Sequence, residues 1–321
     1  MMSKRQALMA LAGAAFHPGF AMAGPYPERP VKIVVSGLPG VPFDFIARTL
    51  ADKLSIKLKQ TFIVENRPGA AGNFGAEAVA RAAPDGHTLL IALGTTFTVN
   101  PSVYKTLPYD PDRDLRPISI LVTSSTTLVV HPSIRVNSVP EFVAFAKKEP
   151  ITYAHGGNGT PGHLSMEYFR LKAGFSTNPV PYRGNAALVT DLLAGQIKFG
   201  FVSTAGTMPH VRAGRLKGLA ISASVRSPLA PEMPTMAEAG YPDFKVELYY
   251  VMMAPAGIPE PIAALLEREV RLALNSPDLQ DKFRASDHRT IASTGADARA
   301  QIKSDRELWA KVVKAANMRI D

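Results

Sequence analysis

The sequence contains no cysteine, which excludes a cysteine nucleophile, a zinc site with cysteine ligands and an iron–sulfur cluster. No uninterrupted apolar run beyond the N-terminal region is long enough to span a bilayer, so we expect a soluble mature protein. Aromatic residues make up only 8% of the chain and the basic residues do not form runs, so nucleic acid is not an expected partner. The 321 residues, 46% of them hydrophobic, are enough for a proper core and suggest two domains.

Sequence signatures of several enzyme classes are also absent. Neither the G-x-S-x-G motif of serine hydrolases, the H-E-x-x-H motif of zinc proteases nor the Walker A motif of nucleotide hydrolases occurs. The histidines are scattered, with no pair four residues apart. The sequence therefore predicts no catalytic residue, no metal site and no cofactor.

The first 23 residues have the features of a secretory signal peptide. Lys4 and Arg5 precede an apolar run over residues 7–16, and a small–x–small pattern predicts cleavage after Ala23. A buried N-terminal helix is the alternative, but a Pro-Gly break and the absence of acidic residues argue against it. Removal of Lys4 and Arg5 lowers the 36 basic residues to 34, against 27 acidic ones. The sequence therefore predicts a periplasmic protein whose net charge of +7 favours anionic ligands.

From residue 31 onward, short apolar strands alternate with amphipathic helices. Residues 31–35 are typical of a buried strand, and Ile46, Leu50 and Leu54 predict a helix over residues 44–58 with Asp44 as its N-cap. Such alternation predicts an α/β fold with mixed, largely parallel sheets and helices on both faces.

Two cycles of this alternation, followed by a helical tail, predict two lobes. We expect residues 24–124 plus 250–321 to form lobe 1 and residues 125–249 to form lobe 2. The chain would cross near residues 120–127 and return near residues 245–252. Ligands in such folds bind beyond the carboxyl ends of the strands, so the predicted site is a cleft between the lobes.

Several glycine-bearing loops follow a predicted strand and precede a predicted helix. They cover residues 37–44, 69–75, 156–162 and 182–185. Because the first N–H groups of a helix lack internal partners and its dipole favours negative charge, several such ends around one cleft would bind a carboxylate or phosphate. Ordinary turns between strands and helices are the alternative for any single loop. Ser203 and Thr204, after another strand, could bind a ligand or cap the next helix.

Residues 157–162 also fit the dinucleotide-binding pattern G-x-G-x-x-G. The preceding strand is short, and no acidic residue stands about 20 positions further on, where a ribose contact is expected. We therefore favour a small-anion site at this helix end over a nucleotide site.

Taken together in this order, a set of short motifs resembles the Bug-type solute receptors of tripartite tricarboxylate transporters. The motifs are YPERPVKIVV at 26–35, VENRPGAAGN at 64–73, APDG at 83–86, LPYDP at 107–111, GNGT at 157–160, VPYRG at 180–184, APAG at 254–257 and WAKVVKAA at 309–316. The resemblance implies a periplasmic receptor with a two-lobe Venus-flytrap fold, which binds a small organic anion and delivers it to membrane permease subunits. It implies a ligand shell built largely from backbone amides and waters.

Two positions depart from this family's usual pattern. Val41 stands where the family often has glycine, and its branched Cβ could narrow the pocket or change the backbone angles. Ser203 stands where the family often has aspartate. The loss of that carboxylate removes an acceptor for an amine or hydroxyl group, which argues against an amino-acid ligand.

The sequence and the resemblance together predict the ligand-binding residues. They are Leu38, Pro39, Gly40, Val41, Phe43, Thr95, Thr96, Gly157, Asn158, Gly159, Thr160, Tyr182, Arg183, Gly184 and Ser203. Within this set, Gly40 and Val41 would donate backbone N–H groups to a carboxylate, and Tyr182 would form a wall of the pocket. We expect a monomer. Two alternatives remain open: a sensory receptor that acts on a membrane kinase, and a hydrolase-type enzyme.

Overall fold

The computed structural model describes residues 26–148, 150–182 and 184–318. The predicted signal peptide therefore lies outside the described residues, as does Arg183. The strands are β1 (Val31–Val35), β2 (Phe62–Asn66), β3 (Thr88–Leu93), β4 (Leu115–Ser124), β5 (Thr126–Val130), β6 (Ile151–His155), β7 (Thr177–Pro181), β8 (Phe199–Ser203), β9 (Lys217–Ile221), β10 (Leu248–Pro255) and β11 (Arg289–Thr290).

The helices alternate with these strands. They are α1 (Pro42–Leu58), α2 (Asn73–Ala80), α3 (Thr95–Thr98), α4 (Asn100–Val103), α5 (Val139–Ala146), α6 (Pro161–Ala173), α7 (Asn185–Leu193), α8 (Thr204–Arg212), α9 (Glu260–Leu274), α10 (Pro277–Arg284) and α11 (Gly295–Ala315), and a short 3-10 helix covers Ala70–Gly72. No helix in the described part of the chain is both long and apolar enough to cross a membrane.

One sheet has six strands in the order β11-β4-β10-β3-β1-β2. Its strands β2, β1 and β3 pair in parallel, whereas β10 runs antiparallel between β3 and β4. A three-stranded antiparallel sheet, β8-β5-β9, and the parallel pair β6-β7 form the rest.

The predicted α/β class with mixed sheets is confirmed, but antiparallel pairings outnumber parallel ones among the described strands. The expectation of largely parallel sheets was wrong because strand–helix alternation does not reveal the direction of long strands such as β4 and β10. These two strands come from distant parts of the sequence and lie side by side, antiparallel.

A single residue, Ser125, connects the six-stranded sheet to the three-stranded sheet. Strand β4 ends at Ser124 in the six-stranded sheet, and β5 begins at Thr126 in the three-stranded sheet. The chain re-enters the six-stranded sheet at Leu248, where β10 begins opposite Ser124. The six-stranded and three-stranded sheets have separate apolar cores. Ile33, Leu50 and Met252 are buried around the six-stranded sheet, whereas Phe142 and Phe169, whose rings stack at an interplanar angle of 19°, belong to the core around the three-stranded sheet.

Most predicted elements occur within a few residues of their predicted ends, but the start of α1 differs. The helix begins at Pro42 with Val41 as its N-cap, so Asp44 lies in the first turn and the prediction that Asp44 is the N-cap was wrong. Proline is favoured at the first helical position because it has no N–H to satisfy and its φ suits the helix. Asp44 instead accepts the Gly40 N–H at 3.1 Å and pairs with Arg48 at 2.9 Å.

Candidate functional site

A cavity of about 460 Å³ lies between the six-stranded sheet and the three-stranded sheet, at the point where the chain crosses from one to the other. It is lined by Gly40, Val41, Pro42, Phe43, Phe45, Leu93, Ser124, Ser125, Thr126, Gly156, Thr160, Pro161, Gly162, Gly184, Asn185, Phe201, Ser203, Ala205, Leu248, Tyr250, Ser286, Asp287 and His288. These residues come from loops and strand ends on both sides, so the cavity is an interlobe cleft.

The N-terminal ends of four helices border this cleft. They belong to α1 at Val41, α6 at Thr160, α7 at Gly184 and α8 at Ser203, and each of these N-cap residues lines the cavity. Each helix contributes the positive end of its dipole, although α1 and α6 begin with a proline that has no N–H, and the Thr204 N–H of α8 donates to the Ser125 carbonyl at 3.2 Å. The arrangement produces a positive potential that favours a bound anion.

A smaller cavity of about 190 Å³ adjoins the first. The two share Phe43, Leu93, Thr160 and Pro161 as lining residues. The smaller cavity adds the loop before α2 together with Thr95 and Thr96, and the Thr96 hydroxyl donates to the Ala71 carbonyl at 3.1 Å. We therefore treat the two cavities as one continuous cleft with a wide and a narrow part.

Most of the predicted site residues line this cleft. The wide part contains Gly40, Val41, Phe43, Thr160, Gly184 and Ser203, and the narrow part contains Phe43, Thr95, Thr96, Asn158, Gly159 and Thr160. Four predicted residues, Leu38, Pro39, Gly157 and Tyr182, line neither part. Arg183, the remaining predicted residue, lies outside the described residues.

Solvent exposure or local hydrogen bonds account for three of the four residues that line neither part. Leu38 is 59% exposed to solvent. The hydroxyl of Tyr182 donates to Asp191 at 2.6 Å, so its side chain packs along α7 instead of forming a wall of the pocket, and this hydrogen bond raises the pKa of Tyr182 to about 12. The Gly157 carbonyl accepts hydrogen bonds from Thr160 Oγ1 at 2.7 Å and from His155 Nδ1 at 2.9 Å, so it serves the loop's own structure.

Two backbone N–H groups of the glycine loops also have partners within the protein. The Gly40 N–H donates to Asp44, and the Gly159 N–H donates to His163 Nδ1 at 3.2 Å. We predicted that the Gly40 N–H donates directly to a ligand carboxylate. In the structure this N–H already donates to Asp44, which competes with the ligand for it. Val41 has an extended backbone, with φ −84°, which suits a β-branched residue, so its presence does not strain the loop.

Sequence reasoning missed one side of the cleft. The segment Ser286 to His288, between α10 and β11, lines the wide part together with Ser125 and Tyr250. Asp287 is 5% exposed and has a left-handed backbone, with φ 59°. No motif marks this segment, because its place in the cleft depends on contacts with residues 60 and 162 positions earlier.

Burial shifts the pKa values of Asp287 and His288 in opposite directions. Burial raises the pKa of Asp287, against hydrogen bonds from Ser227 and Ser125 that lower it. Burial lowers the pKa of His288 to about 4, and neither ring nitrogen of His288 has a hydrogen-bond partner. His288 packs among the rings of Phe45 and Tyr250 and is neutral near pH 7.

These contacts do not join Asp287 and His288 to a common hydroxyl in the manner of a Ser–His–Asp triad. Asp287 bonds to Ser125 and Ser227, and His288 bonds to neither the acid nor a serine. A hydrolase would need a hydroxyl held by a base that a third group orients. Among residues 26–148, 150–182 and 184–318, no group of three or more metal-ligating side chains could hold a metal ion.

Comparison with known proteins gives a consistent result. Residues 46–318 match the family described as "Tripartite tricarboxylate transporter family receptor". Protein BugT of Bordetella pertussis is 34% identical over 301 residues, which cover 93% of this chain and 92% of BugT.

Solved structures of similar proteins include two with bound dicarboxylates. The R. palustris protein Rpa4515 with adipate is 31% identical, with a TM-score of 0.80, and the alignment covers 92% of this chain and 99% of that one. MatC from Rhodopseudomonas palustris with bound malate is 28% identical, with a TM-score of 0.75, and the alignment covers 90% of this chain and all of that one, 100%.

Proposed function

The chain belongs to the tripartite tricarboxylate transporter receptor family, and from this membership and the cleft geometry we propose that it binds a small carboxylate between its lobes. The observation that supports this most strongly is the convergence of the N-terminal ends of α1, α6, α7 and α8 on one cavity. Backbone N–H groups and helix dipoles bind a carboxylate without a buried lysine or arginine.

The lining residues indicate a ligand that touches both lobes. Val41 and Phe43 belong to the lobe of the six-stranded sheet, whereas Gly162 and Ser203 belong to the other lobe. A ligand that contacts both lobes stabilises the closed state over the open state, so closure follows from its differential affinity for the two. We propose that the lobes rotate about Ser125 and the start of β10, where the chain crosses between the sheets.

The family role supports delivery of the ligand to membrane permease subunits from the periplasm, and we propose that the chain acts there as a monomer. For this location the chain needs the predicted signal peptide, and we expect the exported protein to begin at Gly24. Mass spectrometry of the protein purified from the periplasm measures this directly. An intact N-terminus would contradict the proposed export.

An enzymatic role is the competing function. The contacts of Asp287 and His288 favour a receptor, because the acid and the base are not connected to each other or to a common hydroxyl. A receptor that signals through a membrane kinase would use the same cleft. Growth on the identified ligand, after deletion of either the permease or the kinase, distinguishes transport from sensing.

Isothermal titration calorimetry with adipate, malate and their monocarboxylate analogues tests the proposed function. We expect at least one of these acids to bind with one-to-one stoichiometry, and native mass spectrometry of the protein as purified to show any ligand retained from the cell. A folded protein that binds none of these acids and carries no retained acid would contradict the proposal.

A further inference from the structure

Asp287 places a buried carboxylate at one end of the proposed ligand cleft. Asp287 is 5% exposed and lines the wide part of the cleft together with Ser203 and Ser125. Among the described residues it is the one acidic side chain that lines either part, and no lysine or arginine among them does so.

The hydrogen bonds of Asp287 connect the two lobes. Ser125 Oγ donates to Asp287 Oδ2 at 2.8 Å, and Ser227 Oγ donates to Asp287 Oδ1. The chain of hydroxyls continues from Ser125 to Thr204 Oγ1 at 2.7 Å and from Thr204 to Thr127 at 3.0 Å. Because an ionised carboxylate only accepts, the Ser125 and Ser227 hydroxyls are oriented toward it and hold it in place.

Thr204 is the first residue of α8, so the carboxylate of Asp287 lies at the N-terminal end of that helix. The dipole of α8 therefore faces a negative charge that belongs to the protein, which leaves the ends of α1, α6 and α7 to attract the carboxylate of the ligand. A second negative charge brought to this end by a ligand would be repelled at short range in a site of low dielectric constant.

The acid in the first turn of α1, Asp44, does not line the cleft. It is paired with Arg48 at 2.9 Å, which compensates its charge. No lysine, arginine or histidine in the described part of the chain forms an ion pair with Asp287. The cleft therefore has an acidic end at Asp287, and the N-terminal ends of α1, α6 and α7 remain to attract an anion.

From this asymmetry we infer that Asp287 determines specificity: the ligand carries a carboxylate at one end and a hydrogen-bond donor, a hydroxyl or an ammonium group, at the other. This inference rests on the proposed function. It also reverses the expectation drawn from Ser203, because an acidic acceptor enters the cleft from a different part of the chain. A dicarboxylate of the same length should bind more weakly than its ω-hydroxy or ω-amino analogue.

Competition calorimetry with length-matched acids tests this inference. The probes are adipate, 6-hydroxyhexanoate, 6-aminohexanoate and hexanoate, with the four-carbon series from succinate to 4-aminobutanoate in parallel. In each series, the ω-hydroxy acid and the ω-amino acid carry a hydrogen-bond donor. For the unmodified protein, we expect the tighter binder of these two to bind at least tenfold more tightly than the dicarboxylate of the same series. In Asp287→Asn, which removes the charge but keeps the shape, this preference should fall at least tenfold.

Because Asp287→Asn can also weaken the hydroxyl chain, Ser203→Asp serves as the second variant. It adds a carboxylate at the same end and should increase the preference for the ω-amino acid. Ser304→Asp, at an exposed position on α11, is the matched control and should leave the preference unchanged.

A dicarboxylate that binds best to the unmodified protein, or a preference that neither substitution at the acidic end changes, would overturn the role of Asp287 while leaving carboxylate binding intact. Failure of every acid in both series to bind the folded, unmodified protein would instead count against the proposed function, and against this inference with it.

Discussion

A Cβ atom placed on Gly162 would lie 2.3 Å from the carbonyl oxygen of Phe201. The first turn of α6 is therefore packed directly on the backbone of β8. Both residues line the cleft, so this close approach fixes the distance between two of its walls. Only glycine fits there without moving one of these elements.

We predict that Gly162→Ala destabilises the protein and weakens carboxylate binding. The added methyl group must push α6 away from β8, and overpacking of this kind costs about 1–3 kcal/mol. Urea unfolding measures the cost. Gly206→Ala is the control, because its Cβ would meet nothing closer than 3.9 Å inside α8, and alanine is favoured over glycine in a helix. A Gly162→Ala protein as stable as the parent would show that the two elements separate easily.

We predict that the contribution of Asp44 to stability is lost in acid. The Arg48 hydrogen bond, assisted by the Gly40 N–H, holds the pKa of Asp44 below its ordinary value of 3.8. A lowered pKa in the folded state means that the contribution is complete above 3.8 and disappears as the pH falls through the folded value. Asp44→Asn should therefore cost about 1–2 kcal/mol at pH 7, and this difference should shrink below pH 4. A difference that stays constant with pH would rule out the charge as its source.

The sequence predicts those parts of the molecule whose structure depends on interactions between residues close together in the sequence. The i+4 spacing of Ile46, Leu50 and Leu54 predicts α1. The loops at the helix ends were predicted, and most of their residues line the cleft. Within those loops, the partner of the Gly40 N–H was missed because Asp44 was assigned to the wrong helical position.

The residues that could not be predicted are brought together only by the fold. Asp287 reaches Ser125 and Ser227 across 162 and 60 residues of chain, so no local pattern could place it in the cleft. The direction of β10 is likewise set by β3 and β4, which flank it in the sheet.

We predict that His163 positions the loop at the narrow part of the cleft. Its Nδ1 accepts the Gly159 N–H, and burial lowers the pKa of His163 to about 3, so the ring remains a neutral acceptor above pH 5. His163→Ala should weaken carboxylate binding about tenfold, because the loop loses its anchor and the Gly159 N–H loses its acceptor, at a cost of about 1–3 kcal/mol.

The matched variant for this position is His163→Asn, whose side-chain oxygen can replace Nδ1 as the acceptor. Calorimetry should show that it retains most of the affinity. Equal losses in both variants would assign the effect to the stacking of His163 on His155, whose ring centroid is 4.1 Å away, and not to the hydrogen bond.

We predict that His288 makes the protein less stable as the pH falls from 7.5 to 5.5. Burial lowers its pKa to about 4 in the folded state, so the unfolded chain binds the additional proton in this range. A histidine of ordinary pKa near 6.5 that stays neutral when folded costs about 1.4 kcal/mol over this interval. In His288→Phe the loss of stability between the two pH values should be smaller by that amount.

Phenylalanine should also stabilise the protein at pH 7.5. His288 lies among Phe45, Tyr250 and Phe283, and both of its ring nitrogens are buried without partners, which costs free energy that an apolar ring avoids. His288→Gln separates the two effects, because it removes the titration but keeps buried polar atoms: it should show the smaller pH dependence without the gain at pH 7.5. If His288→Phe kept the pH dependence of the parent, another group would be responsible for the acid sensitivity, and His155 and His163, whose pKa values burial also lowers, would be the next positions to replace.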